Sequence, residues 1–502
     1  MSEPVRRPSP QSGTNVGVNL DLDLCLRALG TRDRRFDGRF FIAVRTTGIY
    51  CRPICPARTP KPENVTFFAT PAAAEEAGYR PCRRCRPETA PASPAWQGTS
   101  ATVTRALRLL GTESRVDRLA DRLGVGERHL RRLFAEHLGA SPRSVLMSQR
   151  VHFARRLLDE TDLPLEDLAH AAGFGSARRL RAAVTRTFGR SPDALRHAAR
   201  HAKSRARASG EAPLTMRLPH ASPYDFAGML AYRKARAIPG VETVDQGVYR
   251  RSVTTSAGAG VIEIAHAHDA LTLSVWLPGT PDLFPLVERV RRMLDLDADT
   301  VAIGAHLAKD RALAAHVSRR PGLRVPAAWD PFELAVRAIL GQQVSVAAAT
   351  TLSGRLVERY GTAHPVGEKH GVPRLFPSAA TIAVAGENGL AKLGMPGARA
   401  RGLAAFARAV AESELSLAPA ADLESAITAM CAVQGIGPWT AHYVALRGLG
   451  EPDAFPASDL GLRKALAPNG AKPLSEAELL KRAERWRPWR GYAAIHLWSS
   501  LA

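Results

Sequence analysis

Long apolar runs are missing from this 502-residue sequence. No segment approaches the roughly 18 consecutive apolar residues of a membrane-spanning helix, and residues 1–17 lack the apolar core of a signal peptide. Cysteine is scarce as well, with six residues in the whole chain, four of them in two close pairs. A disulfide framework is therefore not expected, a metal site is favoured, and the sequence predicts a cytoplasmic protein without membrane contact.

Acidic residues are few relative to basic ones. There are 47 Asp and Glu against 69 Lys and Arg, which gives a formal net charge of +22 and a pI near 10.5. Residues 1–210 hold 37 basic and 20 acidic side chains, against 32 and 27 in the remainder. This balance indicates a nucleic-acid binder whose strongest phosphate attraction lies in the first two-fifths of the chain. The length predicts three or four domains.

The two cysteine pairs have the spacing of a metal site, C-x3-C followed by C-x2-C, in Cys51, Cys55, Cys82 and Cys85. Pairs on tight turns can place four thiolates at the corners of a tetrahedron, which predicts one zinc ion, with an iron centre as the alternative. Seven arginines lie close to them in the sequence: Arg45, Arg52, Arg58, Arg80, Arg83, Arg84 and Arg86. Metal-bound thiolate beside such a basic surface is either purely structural or a nucleophile for a methylated phosphate.

Residues 20 to 90 resemble the N-terminal domain of the bacterial Ada adaptive-response family, through FFIAVRTTGIYCRPICPAR, ENVTFF and GYRPCRRC. The resemblance implies a small zinc-bound α+β domain over residues 18–90. It also implies that Cys51 accepts a methyl group irreversibly from a DNA methylphosphotriester, while the other three cysteines complete the zinc site. Methylation would remove one negative charge near the phosphates and so tighten DNA binding.

An internal repeat occupies residues 99–200. Leu-Ala at 119–120 recurs at 168–169, 49 positions on, and Ser-Pro at 141–142 recurs at 191–192. Each copy has the pattern of a helix, a glycine turn and a basic helix, which predicts two helix-turn-helix units in successive major grooves; an all-helical bundle with solvated arginines is the alternative. The segment looks like the AraC-type double helix-turn-helix, which implies double-stranded promoter DNA and RNA polymerase as partners. The candidate DNA-binding residues are Arg128, Arg131, Arg132, Arg178 and Arg179.

The second half begins after a basic segment at 201–217 that is interpreted as a linker. Residues 218–308 mix strands with helices, and residues 309–502 form the next domain. Asp330 and Pro331 are an N-cap and first-position pair, and the pattern is helical from there to the end. Between two apolar helical runs, Val433–Pro438 forms a Gly-x-Gly hairpin whose Gly435 and Gly437 allow φ > 0 and a close phosphate approach. From the glycines alone, this is either an anion-binding hairpin or an ordinary turn followed by a surface acid, Asp459.

Residues 218–502 resemble the helix-hairpin-helix DNA glycosylases of the AlkA type, through PYDFAGMLAYRKARAIPGVE, RAILGQQVSVAAAT, GIGPWTAHYVALRGLG, SDLGLRKAL and ERWRPWRGYAAIHLW. The resemblance implies release of 3-methyladenine-type bases from damaged duplex DNA, with Asp459 as the catalytic acid. It places Trp439, Tyr443 and Trp498 in the pocket for the extruded base, and Gln343 in the gap that the base leaves. The fold class expected for the whole chain is multidomain and mainly α.

Three absences narrow the expected chemistry. Strand-cutting relatives have a lysine two residues after the second hairpin glycine, where this chain has Trp439, so simple base release is expected. No cysteine follows Cys431, which excludes the iron–sulfur cluster of related enzymes, and no Pro-Cys-His-Arg motif for guanine O6 methyl transfer occurs. The hairpin carbonyls of residues 431–435 are a candidate monovalent-cation site. The protein is expected to be a nucleoid-associated bacterial monomer. The alternative hypothesis for its function is a transcription regulator with a structural zinc and a non-catalytic C-terminal half.

Overall fold

The computed structural model describes residues 20–33, 36–82, 84–85, 87, 101–111, 113, 115–200, 213–267, 270–418, 423–467 and 472–501. The chain forms two compact units, one of Met1–Ser209 with Asp282–Pro285 and one of Gly210–Pro281 with Leu286–Ala502. Among the described residues, every helix is too short or too polar to traverse a lipid bilayer.

The first unit begins with a small α+β module. Its elements are α1 Leu22–Thr31, β1 Phe41–Val44, β2 Ile49–Cys51, β3 Val65–Phe68, α2 Pro71–Glu76 and β4 Arg80–Pro81. The sheet order is β3-β1-β2-β4; β1 pairs antiparallel with both neighbours and β2 pairs parallel with β4. Alternate residues of β1 face opposite sides of the sheet. Ile42 packs with residues of α1, and Phe41 packs with residues of α2.

In the described part of the chain, the same unit continues with seven helices. They are α3 Ala101–Leu110, α4 Val116–Arg122, α5 Glu127–Leu138, α6 Pro142–Glu160, α7 Leu165–Ala171, α8 Ala177–Phe188 and α9 Pro192–Arg200. The two helix-turn-helix units are α4–α5 and α7–α8, and their turns use Gly124 (φ 64°) and Gly173 (φ 73°) in the left-handed region. Ser141 caps α6 by accepting from the Ser144 N–H, with Pro142 at the first helical position.

Hydrogen bonds join the α+β module to the end of α5 and to the long helix α6. The Glu75 Oε1 atom accepts from the Tyr50 hydroxyl at 2.8 Å and lies 2.6 Å from His152 Nε2. The Thr70 hydroxyl donates to the Leu138 carbonyl at 3.0 Å. Two segments that the sequence presents as separate domains are therefore packed as one unit.

The second unit begins with a five-stranded antiparallel sheet of order β5-β9-β8-β7-β6. Its elements are β5 Leu214–Pro219, α10 Phe226–Lys234, β6 Glu242–Asp245, β7 Val248–Thr255, β8 Gly258–Ala267 and β9 Ala270–Trp276. The predicted linker at 201–217 is wrong at its C-terminal end. β5 pairs with β9 from Leu214 onward, and its Met216 and Leu218 are buried, so this stretch belongs to the sheet.

Helices form most of the remainder. They are α11 Leu283–Met293, α12 Thr300–Leu307, α13 Arg311–Arg319, α14 Pro331–Leu340, α15 Val346–Tyr360, α16 Pro365–Glu368, α17 Ala379–Ala391, α18 Gly397–Ala411, α19 Leu423–Cys431, α20 Pro438–Val444, α21 Leu460–Ala465, α22 Glu476–Ala483 and α23 Arg490–Ser499. The expectation of helix throughout is wrong at one place, where β10 Thr362–Ala363 and β11 Arg374–Leu375 pair between helices. Asp330 begins α14 as predicted, by accepting from the N–H groups of Phe332 and Glu333.

Candidate metal centre and active site

The four clustered cysteines meet where β2 and β4 end. Their sulfur atoms all lie within 4.8 Å of one another, and Cys55 Sγ is 3.9 Å from Cys82 Sγ. Four sulfurs bound at about 2.3 Å to one tetrahedral zinc are about 3.8 Å apart, so the cluster fits this ion. The parallel pairing of β2 with β4 explains the approach, because it brings Cys51 and Cys82 to the same end of neighbouring strands.

Three of these cysteines are buried, while Cys51 is half-buried. Arg52 supports the cluster from within: its backbone N–H donates to Cys85 Sγ at 3.3 Å, and its guanidinium donates to the Cys85 carbonyl at 3.2 Å. The same guanidinium forms an ion pair with buried Asp37. Arg52 therefore stabilises the cysteine cluster from inside the module and does not contribute to an exposed basic surface. Arg45, Arg58, Arg80 and Arg84 are exposed, and Arg83 and Arg86 lie outside the described residues.

The candidate DNA-reading arginines lie on the outer faces of the two basic helices. In α5, Leu130 and Phe134 are buried, and in α8, Leu180 and Val184 are buried. The five arginines between and before them are exposed: Arg128, Arg131, Arg132, Arg178 and Arg179. Arg131 pairs with Glu127, four residues earlier on α5. Both helices therefore present a basic surface over an apolar underside.

Asp459 is the N-cap of α21, and three N–H groups hold its carboxylate. Oδ1 accepts from the Leu462 backbone N–H at 2.9 Å and from the Trp498 indole N–H at 3.0 Å. Oδ2 accepts from the Trp439 indole N–H at 2.8 Å. All three neighbours are donors, a set of contacts that suits the ionised carboxylate. The side chain remains half-buried and can be approached from outside.

The three predicted pocket aromatics lie together around this acid. Trp439 and Tyr443 are four residues apart on α20 and stack with ring centroids 5.1 Å apart and planes 11° apart. Tyr443 meets Trp498 edge to face at 6.3 Å. The two indole N–H contacts with Asp459 were not anticipated from the sequence. Trp439 and Trp498 thus contact both the acid and the aromatic surface beside it.

Tyr443 also belongs to a polar cluster with Tyr232 and Arg447, which the sequence did not predict. Its hydroxyl is 3.3 Å from that of Tyr232, and Arg447 Nη1 donates to both hydroxyls, at 2.7 Å to Tyr443. The Arg447 guanidinium lies 4.1 Å from the Tyr232 ring centroid. Burial raises the pKa of Tyr443 to about 12. These three residues line part of one cleft in the second unit.

The hairpin between α19 and α20 uses its two glycines differently. Gly435 has φ 90°, and a Cβ atom there would lie 2.8 Å from Gly402 Cα on α18. Gly437 has φ −93° and caps α20, with open space where a Cβ would lie. Only Gly435 therefore needs the left-handed backbone conformation. Gly437 leaves open space beside the backbone, where a phosphate could approach closely. Both glycines are exposed.

Gln343 lies in the exposed turn between α14 and α15, with φ 56°. Its neighbour Gln342, which sequence reasoning missed, connects this turn to the hairpin. Gln342 Nε2 donates to the Gly435 carbonyl at 2.9 Å and to Thr440 Oγ1 at 3.4 Å. The Gln342 carbonyl accepts from the Arg399 guanidinium. The adjacent glutamines at 342–343 were the only available signal, and they do not reveal a contact 93 residues away.

Family comparisons agree with this order of modules. The metal binding domain of Ada matches residues 24–88, a helix-turn-helix domain 119–198, the AlkA N-terminal domain 215–330 and the HhH-GPD superfamily base excision DNA repair protein 336–488. A probable bifunctional transcriptional activator/DNA repair enzyme AlkA of Mycobacterium tuberculosis strain H37Rv is 43% identical over 487 residues, 96% of this chain and 97% of the relative. The chain belongs to this bifunctional Ada/AlkA family.

Two Escherichia coli K12 proteins are similar to separate parts of this Ada/AlkA chain. DNA-3-methyladenine glycosylase 2 is 36% identical over 280 residues, 55% of this chain and 94% of its own length. The bifunctional transcriptional activator/DNA repair enzyme Ada is 38% identical over 168 residues, 33% of this chain and 46% of its own length. The expected family and the multidomain, mainly α fold class are confirmed. The match to the Ada metal-binding domain and the four-sulfur cluster support the predicted zinc ion.

Proposed function

We propose that this Ada/AlkA protein removes 3-methyladenine-type bases from duplex DNA through Asp459, and takes methyl groups from DNA methylphosphotriesters onto Cys51. The observation that carries the first activity is the Asp459 carboxylate, fixed by the indole N–H groups of Trp439 and Trp498 beside the stacked ring of Tyr443. The half-buried position of Cys51 among three buried cysteines supports the second. We propose the domain bounds expected from the sequence with one change, in which the linker ends before Leu214 and the sheet of the second unit begins there.

Base release depends on the charge of the damaged base. An alkylated base already carries positive charge, so it leaves with the electrons of the glycosidic bond and needs little protonation. The sugar develops oxocarbenium character, which the Asp459 carboxylate stabilises while it helps to direct the attacking water. The extruded electron-poor base stacks on the electron-rich rings of Trp439, Tyr443 and Trp498.

The proposed glycosylase leaves the abasic strand intact. A strand-cutting enzyme of this type needs an amine to attack the sugar carbon, and this chain has Trp439 at the corresponding position. The Trp439 indole N–H is occupied by Asp459, so the residue orients the acid instead. We infer a hydrolase without a lyase step.

The methyl transfer is a single-turnover reaction. Zinc, when bound, keeps its cysteine ligands as thiolates at neutral pH. The Cys51 sulfur attacks the methyl carbon, an S–C bond forms, the C–O bond of the triester breaks, and the phosphodiester leaves with the electron pair. The thioether carries one negative charge fewer than the thiolate, so the module repels DNA phosphates less. The arginines of α5 and α8 then read promoter DNA, and RNA polymerase is the proposed next partner.

The remaining proposals concern cofactor and assembly. The carbonyls of residues 431–435 would hold a monovalent cation beside the DNA phosphate, although the Gly435 carbonyl already accepts from Gln342. Exposed Gln343 would fill the gap left by the extruded base, while the amide groups around Gly435 and Gly437 hold the phosphate. The protein would act as a monomer on chromosomal DNA.

The decisive experiment measures base release from methylated duplex DNA by the wild-type protein and by Asp459→Asn. Release by the wild type and loss of at least 100-fold in the variant would support the proposal. Equal release, or none from either protein, would favour the rival function, a transcription regulator with a passive C-terminal half. Mass spectrometry after incubation with methylphosphotriester DNA should add one methyl group at Cys51; an unmodified Cys51 under conditions of tight binding would leave zinc with a structural role only.

A further inference from the structure

The turn between α14 and α15 is exposed to solvent. Gln343 adopts the left-handed conformation with φ 56°, which is uncommon for a residue with a side chain. Val344 and Val346 beside it are 37% and 43% exposed. Exposure of these apolar valines to water is unfavourable, whereas apolar side chains can insert between stacked bases of a DNA duplex.

Gln342 ties this turn to the hairpin. Its side-chain amide donates to the Gly435 carbonyl at 2.9 Å and to the Thr440 hydroxyl at 3.4 Å, on the first turn of α20. Because both bonds come from the same nitrogen, that one group fixes the turn to the hairpin and to the helix after it. The contact is specific to a donor, since the main acceptor is a carbonyl oxygen.

Helix α18 holds the other side of the same junction. The Arg399 guanidinium donates to the Gln342 carbonyl, so the backbone and the side chain of Gln342 are both fixed. Three residues further along α18, Gly402 lies against Gly435 so closely that a Cβ on Gly402 would be 3.2 Å from Gly435 Cα. The turn, the hairpin and α18 therefore meet with little freedom to slide.

We propose that Gln342 is a positioning residue that sets the spacing between the phosphate-binding hairpin and the tip at Gln343, so that holding the DNA backbone places the tip in the base stack. This inference rests on the glycosylase function proposed above. Gln342 itself needs no contact with the reacting atoms. It acts through the hairpin on one side and through its chain neighbour on the other.

The energetic consequence depends on how the damaged base is paired. Extruding a base costs a few kcal/mol in a stable pair and least when the base is mismatched or already unpaired. A tip that shifts relative to the hairpin supports extrusion poorly, and misplacement by about 1 Å can cost about 100-fold in rate. An unpaired base needs little such support. Loss of the Gln342 contacts should therefore slow release from paired sites far more than from unpaired sites.

The test uses the full-length protein and one methylated base in two settings, paired in a duplex and unpaired in a bulge of the same sequence. Gln342→Met keeps the side-chain length but removes the donor, and Gln342→Glu replaces the donor with an acceptor. Gln246→Met, in the exposed turn between β6 and β7, is the matched control. Single-turnover release is measured on both substrates, together with the thermal unfolding midpoint of each variant.

We expect the ratio of paired to unpaired release to fall about tenfold or more in Gln342→Met and Gln342→Glu. Gln342→Lys, which restores a donor, should recover part of the ratio, and Gln246→Met should keep the wild-type ratio. An unchanged ratio in both folded donor-free variants, or an equal loss on both substrates, would overturn the positioning role. A wild-type protein that releases base from neither substrate would instead refute the glycosylase proposal.

Discussion

The Trp498 indole N–H donates to Asp459 Oδ1 at 3.0 Å, so one aromatic ring of the proposed base pocket also fixes the acid. Trp439 does the same to the other carboxylate oxygen. The plane of the carboxylate is thereby determined by the same rings on which an extruded base would stack. In the proposed mechanism, recognition of the base and placement of the charge are therefore coupled through the same two indole rings.

Replacing Trp498 by Phe should separate these two roles. The variant keeps an aromatic face but removes one hydrogen bond to a charged group, a loss of about 1.5–3 kcal/mol. We expect kcat for base release to fall about 10- to 100-fold with a smaller change in KM. Trp439→Phe should lower kcat in the same way, because it removes the donor to Asp459 Oδ2. Steady-state kinetics on methylated duplex DNA test this, and a raised KM with wild-type kcat would assign Trp498 to base binding alone.

The two hairpin glycines should differ in their tolerance of alanine. At Gly435 the added methyl group meets Gly402 Cα at 2.8 Å and φ is 90°, so we expect Gly435→Ala to lower the unfolding free energy by about 1–3 kcal/mol. Gly437→Ala has open space and φ −93°, so its stability should stay within about 0.5 kcal/mol of the wild type. Urea denaturation of both variants provides the comparison. Equal losses would contradict the close approach of Gly402 to Gly435.

The contact between Glu75 and His152 should make stability depend on pH. Burial alone would raise the pKa of Glu75, but the charge of His152 and hydrogen bonds from His152 and Tyr50 lower the pKa below its usual value of 4.5. A depressed folded-state pKa stabilises the fold above the unfolded pKa, and this stabilisation disappears as the pH falls through the lower folded value.

We therefore expect Glu75→Gln to be less stable than the wild type by about 1.5–3 kcal/mol at pH 7. The difference should shrink as the pH falls below 4.5, because Glu75 of the unfolded wild-type chain is protonated first and Glu75 of the folded chain follows at its lower pKa. Denaturation of both proteins between pH 7 and pH 3.5 measures the difference, and loss of zinc in acid affects both alike. A difference that grows as the pH falls would have the wrong sign for this contact.

Removal of zinc should destabilise the α+β module rather than the second unit. Four cysteines that share one ion lose their common partner when it is chelated, and metal-binding energy in such sites is folding energy. We expect one zinc per chain, released by a chelator together with the capacity for methyl transfer. Base release should persist, because Asp459 and its partners lie in the other compact unit. A colorimetric zinc assay with both activity assays checks this; parallel loss of base release would contradict it.

Local spacing in the sequence was informative where function depends on near neighbours. The cysteine pairs, the Ser-Pro helix starts and the i, i+4 relation of Trp439 to Tyr443 all follow from short-range geometry. The family resemblance supplied Asp459 and Trp498, which spacing alone would not have connected. Contacts between distant segments were not accessible. Tyr232 and Tyr443 are 211 residues apart, and only the packing of α10 against the helix-hairpin-helix region brings their hydroxyls together.

The start of the second unit shows the limit of composition as a guide. Residues 201–212 are rich in lysine, arginine, alanine, serine and glycine, a composition that favours a linker up to residue 217. The alternation of Leu214, Met216 and Leu218 outweighs that composition. All three pair with β9, and Met216 and Leu218 become buried. A partner strand more than fifty residues later determines where the linker ends.

The meeting of Gly402 and Gly435 has a consequence for how this protein can change over time. Two backbones touch there without side chains between them, so a larger residue at either position has no counterpart that could shrink to make room. At most packed positions, a larger residue can be accommodated when its neighbour becomes smaller. No such compensating substitution is possible between Gly402 and Gly435. Homologues that keep the hairpin against α18 should therefore keep both glycines together, and a chain that has lost one should also have lost the close approach.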